Sequence, residues 1–177
     1  VVSNLYAQTW TGTTSTSWDI STNWSPDGVP ISSSNVNIPG SIASGNWPVF
    51  AGNVTINSID MQPGSQLNVN GFTLTLNGVN TYISFTGATL NNSSGATDIV
   101  INVHTGVSGY NTSFKSNTVN DAIIFNITGD ASCPFYEGDA APSNQYNGNA
   151  SFNINDALPV YISQAVPSQY NGNLIVN

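Results

Sequence analysis

Few side chains in this sequence could carry chemistry, and their spacing limits what that chemistry would be. The acids are Asp19, Asp27, Asp60, Asp98, Asp121, Asp130, Glu137, Asp139 and Asp156. They are scattered, with no adjacent Asp pair, whereas glycoside hydrolysis needs two carboxyl groups held roughly 5 to 10 Å apart. A lyase that draws off a proton with a basic side chain would have only Lys115. Ser-His-Asp catalysis would need His104, the single histidine, which closes the strand-like run Ile101-Asn102-Val103-His104; no Gly-x-Ser-x-Gly elbow accompanies it. His104 therefore reads as a solvated or turn-capping residue. Cys133, followed by Pro134 and Phe135, reads as a small buried residue rather than a nucleophile. No catalytic residue is expected.

Binding chemistry has two candidates. Glu137-Gly138-Asp139, with Asp130 nearby, could offer oxygen ligands to Ca²⁺, the one cofactor the sequence suggests, since hard cations take several carboxylate and carbonyl oxygens and glycine eases a tight turn. The stretch lacks the alternating Asp-x-Asp-x-Asp-Gly loop, and a solvated acidic loop is the competing reading. Trp10, Trp18 and Trp24 lie beside small polar residues and could form a platform for a sugar ring. The competing reading is an end cap that folds indole on indole and hides a sheet edge, each Trp burying on the order of 200 Å². Trp47, next to Pro48, reads as core or corner packing, and the lone Thr73-Leu74-Thr75 is too little for the flat threonine ranks of an ice-binding surface.

The elements that must position these residues follow from composition. Asn (26), Ser (23), Thr (17) and Gly (16) make up nearly half of the 177 residues. Charged residues are 6%, against about 25% in ordinary soluble domains, so amides and hydroxyls carry the solvation. One Lys, one Glu and no Arg leave little from which to build long helices. Asn, Ser and Thr compete with helical hydrogen bonds, while Thr, Val, Ile and aromatics favour strands. Apolar residues alternate in Val36-Asn37-Ile38, Val54-Thr55-Ile56, Leu67-Asn68-Val69, Phe72-Thr73-Leu74-Thr75-Leu76, Ile83-Ser84-Phe85 and Ile99-Val100-Ile101-Asn102-Val103. Turn signals such as Pro63-Gly64-Ser65, Asn70-Gly71 and Asn77-Gly78 separate them.

Charge excludes several partners. The formal net charge of −8 leaves no basic patch to neutralise phosphates, so neither nucleic acid nor an anionic membrane surface fits. No apolar run approaches the roughly 18 residues of a membrane span. A single cysteine forms no intrachain disulfide, which with this composition points to a bacterial exterior. The opening residues, with Ala7 before a cut, read either as the tail of a signal peptide or as an ordinary first strand.

Short strands at this spacing suit a β-sandwich or a solenoid, and an internal repeat favours the solenoid. Residues 146–153 (YNGNASFN) match residues 170–177 (YNGNLIVN) at a spacing of 24, with a weaker copy at Phe114-Lys115-Ser116-Asn117-Thr118-Val119-Asn120. A period of this length with about three short strands is one turn of a parallel β-helix. Asn at equivalent corners would then stack into amide ladders. Residues 133–143 break the spacing and are expected to be a loop inserted between turns.

The Trp-rich opening and the repeat together resemble a known family. Trp10-Thr11-Gly12, Trp18, Asn23-Trp24-Ser25, Val29-Pro30, Val36-Asn37-Ile38-Pro39 and Trp47-Pro48 resemble the start of the repeat in large secreted surface adhesins of Bacteroidetes linked to gliding motility and type IX secretion. Gln62-Pro63-Gly64-Ser65-Gln66-Leu67-Asn68-Val69 and Phe72-Thr73-Leu74-Thr75-Leu76 are similar to a rung of the same proteins. The resemblance implies an extracellular, non-catalytic adhesion or structural role, with surface glycans or neighbouring modules of the same polypeptide as partners. The expected architecture is an all-β, right-handed parallel β-helix: a Trp-rich N-terminal cap over residues 1–35 and solenoid rungs over 36–177 in one continuous domain.

Overall fold

A computed structural model describes residues 7–105, 110–156 and 158–177. The opening segment 1–6, read above as a leader tail or a first strand, lies outside the described residues. Among those described, the only helical element is a 3-10 turn, Ser21–Asn23.

The Trp-rich segment holds β1 (Gln8–Trp10) and β2 (Trp24–Ser25), and a partial turn follows with β3 (Asn35–Ile38) and β4 (Val54–Ile56). Five three-strand turns come next. They are β5 (Ser58–Met61), β6 (Gln66–Asn68) and β7 (Thr73–Leu76); β8 (Ile83–Thr86), β9 (Thr89–Asn91) and β10 (Ile99–Thr105); β11 (Thr112–Lys115), β12 (Thr118–Val119) and β13 (Ile123–Gly129); β14 (Phe135–Glu137), β15 (Gln145–Tyr146) and β16 (Ala150–Ile154); and β17 (Val160–Tyr161), β18 (Gln169–Tyr170) and β19 (Leu174–Val176). Every third strand pairs in parallel with its predecessor, giving three long sheets. Sheet I runs β2-β1-β3-β5-β8-β11-β14-β17, sheet II β6-β9-β12-β15-β18 and sheet III β4-β7-β10-β13-β16-β19. The chain is a parallel β-solenoid of about seven turns, as the alternation and repeat predict.

Strand alternation fills the interior with columns. On sheet I, Ile38, Met61, Phe85 and Phe114 follow one another across the ladder. On sheet III the column is Leu74, Ile101, Phe125, Phe152 and Val176, and on sheet II it is Leu67, Leu90, Val119, Tyr146 and Tyr170. Because like positions repeat at the inter-strand spacing of about 4.8 Å, aromatic neighbours stack or meet edge to face. Phe125 and Phe152 have ring centroids 5.2 Å apart at 15°, and Tyr146 and Tyr170 4.9 Å apart at 2°.

Outside the columns run the amide ladders. On sheet III, Asn102 donates to Thr75 at 3.2 Å, and Asn126, Asn153 and Asn177 each donate to the preceding Asn at 2.8, 2.8 and 2.9 Å. At the corner after sheet II, Asn120, Asn147 and Asn171 donate down to Asn91, Asn120 and Asn147 at 2.8, 2.9 and 2.9 Å. Both ladders have one polarity, with the amide N–H of the later turn meeting the carbonyl of the earlier one.

Two expectations are corrected. Residues 133–143 are not simply an inserted loop: they contain β14, which pairs with β11 below and β17 above. The weaker repeat copy is also out of register, since Tyr146 pairs with Val119 while Phe114 stands on sheet I against Glu137.

Candidate functional site

The three N-terminal tryptophans close the lower end of the interior. Trp10, Trp18 and Trp24 are each 1% exposed. Trp24 meets Trp10 and Trp18 edge to face, with centroids 4.9 and 4.6 Å apart, and Trp18 meets Phe50 at 4.9 Å. The Trp10 indole N–H donates to the Asn46 carbonyl at 2.8 Å and that of Trp24 to the Trp18 carbonyl at 2.9 Å. Asn23, also buried, accepts from the backbone N–H groups of Thr14 and Ser15 at 2.9 and 3.0 Å and so holds the loop around the indoles. β2 lies antiparallel on β1 and covers the sheet I edge. With no indole face open to a ligand, the sugar-platform expectation for Trp10, Trp18 and Trp24 is corrected; these residues form a cap. Trp47 packs half-buried against the core.

The candidate Ca²⁺ ligands are not brought together. Asp130 is exposed in a turn, where the Ser132 hydroxyl and backbone N–H, at 2.6 and 2.8 Å, hold its carboxyl below the ordinary carboxylate range. Asp139 is on the outer side and accepts from Ser113 at 3.2 Å. Glu137 points inward. Among the described residues no group of three His, Cys, Asp or Glu side chains stands close enough to hold a metal. Sequence proximity misled here because the strand ends at Glu137, which points inward, and the left-handed turn at Gly138 (φ +69) breaks the alternation that would otherwise have kept Asp139 on the same face.

Glu137 occupies the position above Phe114 in an otherwise apolar column and is fully buried. A buried carboxyl group requires hydrogen-bond partners. Asn144 and Tyr146 donate to one oxygen at 2.5 and 3.1 Å, joined by the Ser168 hydroxyl. The other oxygen accepts from the Ser163 backbone N–H at 2.7 Å and from Tyr170 at 3.4 Å. Burial, together with the Glu137 charge, pushes the Tyr146 hydroxyl well above the ordinary phenol value and that of Tyr170 up to about 12. One side chain thus ties β14 to β15, to β18 and to the loop that leads into β18.

That loop borders an open cavity of about 500 Å³ on the outer face of sheet I, lined by Asn111, Tyr136, Asp139, Gln164 and Ala165. The sequence reading missed Tyr136 and Tyr161. Their signal was an aromatic at matching places in successive turns, with nothing in the apolar pattern to mark it. The remaining reactive groups are isolated: Cys133 is a buried free thiol, and His104 is exposed on β10, 3.1 Å from the Thr128 hydroxyl.

Fold and surface define the class as a capped parallel β-solenoid with amide-laddered faces. No family model, curated protein or solved structure matches the chain.

Proposed function

We propose that this chain is a non-catalytic structural and adhesive module, a segment of a large secreted bacterial surface protein. The observation that carries the reading is the pair of continuous ladders, Asn102 to Asn177 and Asn91 to Asn171, over the stacked interior columns. Every turn is bonded to the next by backbone, amide and apolar contacts, so load along the axis is shared among all three sheets. The surface that results is polar with little charge, which suits many weak contacts made in parallel. The resemblance of the Trp-rich opening to Bacteroidetes adhesins supports the same location and role, with surface glycans or neighbouring modules as partners.

The test is antibody labelling of intact, unpermeabilised producing cells, combined with in-frame deletion of this segment. Labelled intact cells that attach poorly after the deletion support the reading. Labelling only after permeabilisation, or unchanged attachment, would overturn it.

A further inference from the structure

We propose that the cavity on the outer face of sheet I, beside Tyr136 and Asp139, binds a neutral pyranose ring of a polysaccharide. The assignment rests on the adhesive reading above and gives that reading a site.

Stacking along the sheet sets the aromatic wall. Ser113, Tyr136 and Tyr161 occupy one outward column of sheet I. The two tyrosine rings stack, with centroids 5.2 Å apart and planes at 12°. The stack stops at Tyr136 because the next position down is a serine. Tyr136 is the aromatic wall of the cavity, beside Asn111, Asp139, Gln164 and Ala165. The apolar C–H face of a pyranose is the natural complement of an aromatic face, since covering it removes apolar surface from water on both sides.

The remaining lining has the chemistry of hydroxyl recognition. Asn111 and Gln164 each offer amide donors and an acceptor, and Asp139 offers two acceptor oxygens at a fixed place. Adjacent sugar hydroxyls need both kinds of partner at short spacing. Asp139 is the only charged group in the lining, and the chain as a whole carries −8. Lys115, the single lysine in a chain without arginine, is two positions along β11 from Ser113 and is not part of the lining. An acidic sugar would meet a carboxyl group with no cation to offset it, so the complement is neutral. The volume is within the roughly 300–1,000 Å³ usual for small-molecule sites.

The site is held in place before any ligand arrives. Ser113 fixes Asp139 with bonds of 3.2 Å to both carboxyl oxygens. The wall carrying Gln164 and Ala165 is tied to the β14 backbone, Gln164 N–H to the Glu137 carbonyl at 3.2 Å and Ala165 N–H to the Gly138 carbonyl at 3.0 Å. Glu137 holds the same loop from the inside through Ser163 and Ser168. Gly138 lets the two segments approach: at φ +69, a Cβ there would lie 2.9 Å from the Val166 carbonyl oxygen. One strand therefore presents a ring outward at Tyr136 and an anchor inward at Glu137, and preorganisation of this kind lowers the ordering cost of binding.

The test is a glycan array carrying neutral probes (β-glucan, mannan, galactan and chitin oligosaccharides) and acidic ones (alginate and polygalacturonate). Titration of the purified protein with the best probe follows. The expected result is retention on at least one neutral probe, with affinity lowered at least tenfold by Tyr136→Ala and by Asp139→Asn, and unchanged by Tyr82→Ala. Each variant is melted first, and Gln164→Ala, on an exposed loop, replaces any that fails to fold, with a loss of affinity again expected. Binding to no neutral probe, binding to acidic probes alone, or binding that survives these substitutions would overturn the assignment. Such a failure leaves cell-surface labelling and attachment free to stand, so the two readings fail separately.

Discussion

The same eight-residue pattern occurs in two neighbouring turns and meets two different fates. In residues 146–153, Tyr146 and Phe152 are fully buried. In residues 170–177, the matching Val176 is 52% exposed, and Leu174, above the buried Ala150, is 44% exposed. The pattern is as regular in the second copy as in the first, with Ala150 paired to Leu174 and Phe152 to Val176. What the first copy has is β19 laid over it. In a stacked fold, alternation decides which side chains face the axis, but only a further layer excludes water from them. At the opposite end the Trp-rich cap supplies that layer in another form, with three indoles laid across the column mouth.

The largest effect should come from opening the covered end. Trp24→Ala removes the indole that bridges Trp10 and Trp18 and should cost about 4 kcal/mol, the range for a buried Trp cut to Ala. A denaturant melt would show it as a lower midpoint. A loss under about 1 kcal/mol would mean that the Trp-rich segment does not cap the fold. The matched pair sharpens the contrast between the turns. Phe152→Ala should cost about 3 kcal/mol or more and Val176→Ala less than about 1, because only the first leaves a cavity. Equal costs would show that the outer turn is covered in solution.

Next in size is the buried carboxyl group. Glu137→Ala leaves Asn144 and Tyr146 without their acceptor inside the core, and a loss of about 3 kcal/mol is expected in the same measurement. Amide exchange should quicken first in β17 and β18, the strands nearest the loop that Glu137 anchors. Uniform quickening along the solenoid would count against that local role.

How far the sequence disclosed this arrangement depended on whether the repeated unit was apolar. The alternation at Leu74, Ile101 and Phe125 and the 24-residue match between Tyr146 and Tyr170 mark solenoid turns, and the asparagine corners foretell the ladders. β14 escaped because Phe135-Tyr136-Glu137 puts an acid where the column calls for an apolar side chain. Only the donors gathered from Asn144, Tyr146, Ser163, Ser168 and Tyr170 make that position habitable, and these are spread over 27 residues. Turns of unequal length hid the register of Phe114 in the same way. Of the candidate site residues, the sequence supplied the right types and the wrong places. The tryptophans pack on one another, and of the three acids only Asp139 lines an open cavity.

Alkali should weaken the upper turns before the cap. An unfolded tyrosine gives up its proton near pH 10. In the folded chain Tyr170 holds its proton to about pH 12 and Tyr146 beyond the ordinary value, through burial and the neighbouring Glu137 charge. Their contribution to stability is therefore complete below pH 10 and is lost as pH rises through 10 to 12 and above, where the unfolded chain binds fewer protons than the folded one. The melting temperature should stay level up to about pH 10 and then fall, with a shallower fall in Tyr146→Phe. A fall that begins well below pH 10, or that Tyr146→Phe leaves unaltered, would place the sensitive group elsewhere.

The smallest effect tests the ladders themselves. Asn126 both donates to Asn102 and accepts from Asn153, and the exposed Asn177 donates to Asn153. Asn126→Ala removes two bonds at a part-buried position and Asn177→Ala removes one at an exposed position, where water replaces it readily. At about 0.5–1.5 kcal/mol net for each bond, discounted for partial exposure, the first should cost about 1 kcal/mol and the second close to nothing. Asn126→Asp is the sharper variant. It keeps the acceptor for Asn153 but turns the donor toward Asn102 into a second acceptor, setting two oxygens against each other. If the ladder's one-way polarity matters, the Asp variant is less stable than the Ala variant at neutral pH and recovers as the acid is protonated. Equal stability of the two would reduce the ladders to surface decoration and leave the apolar columns to hold the turns together.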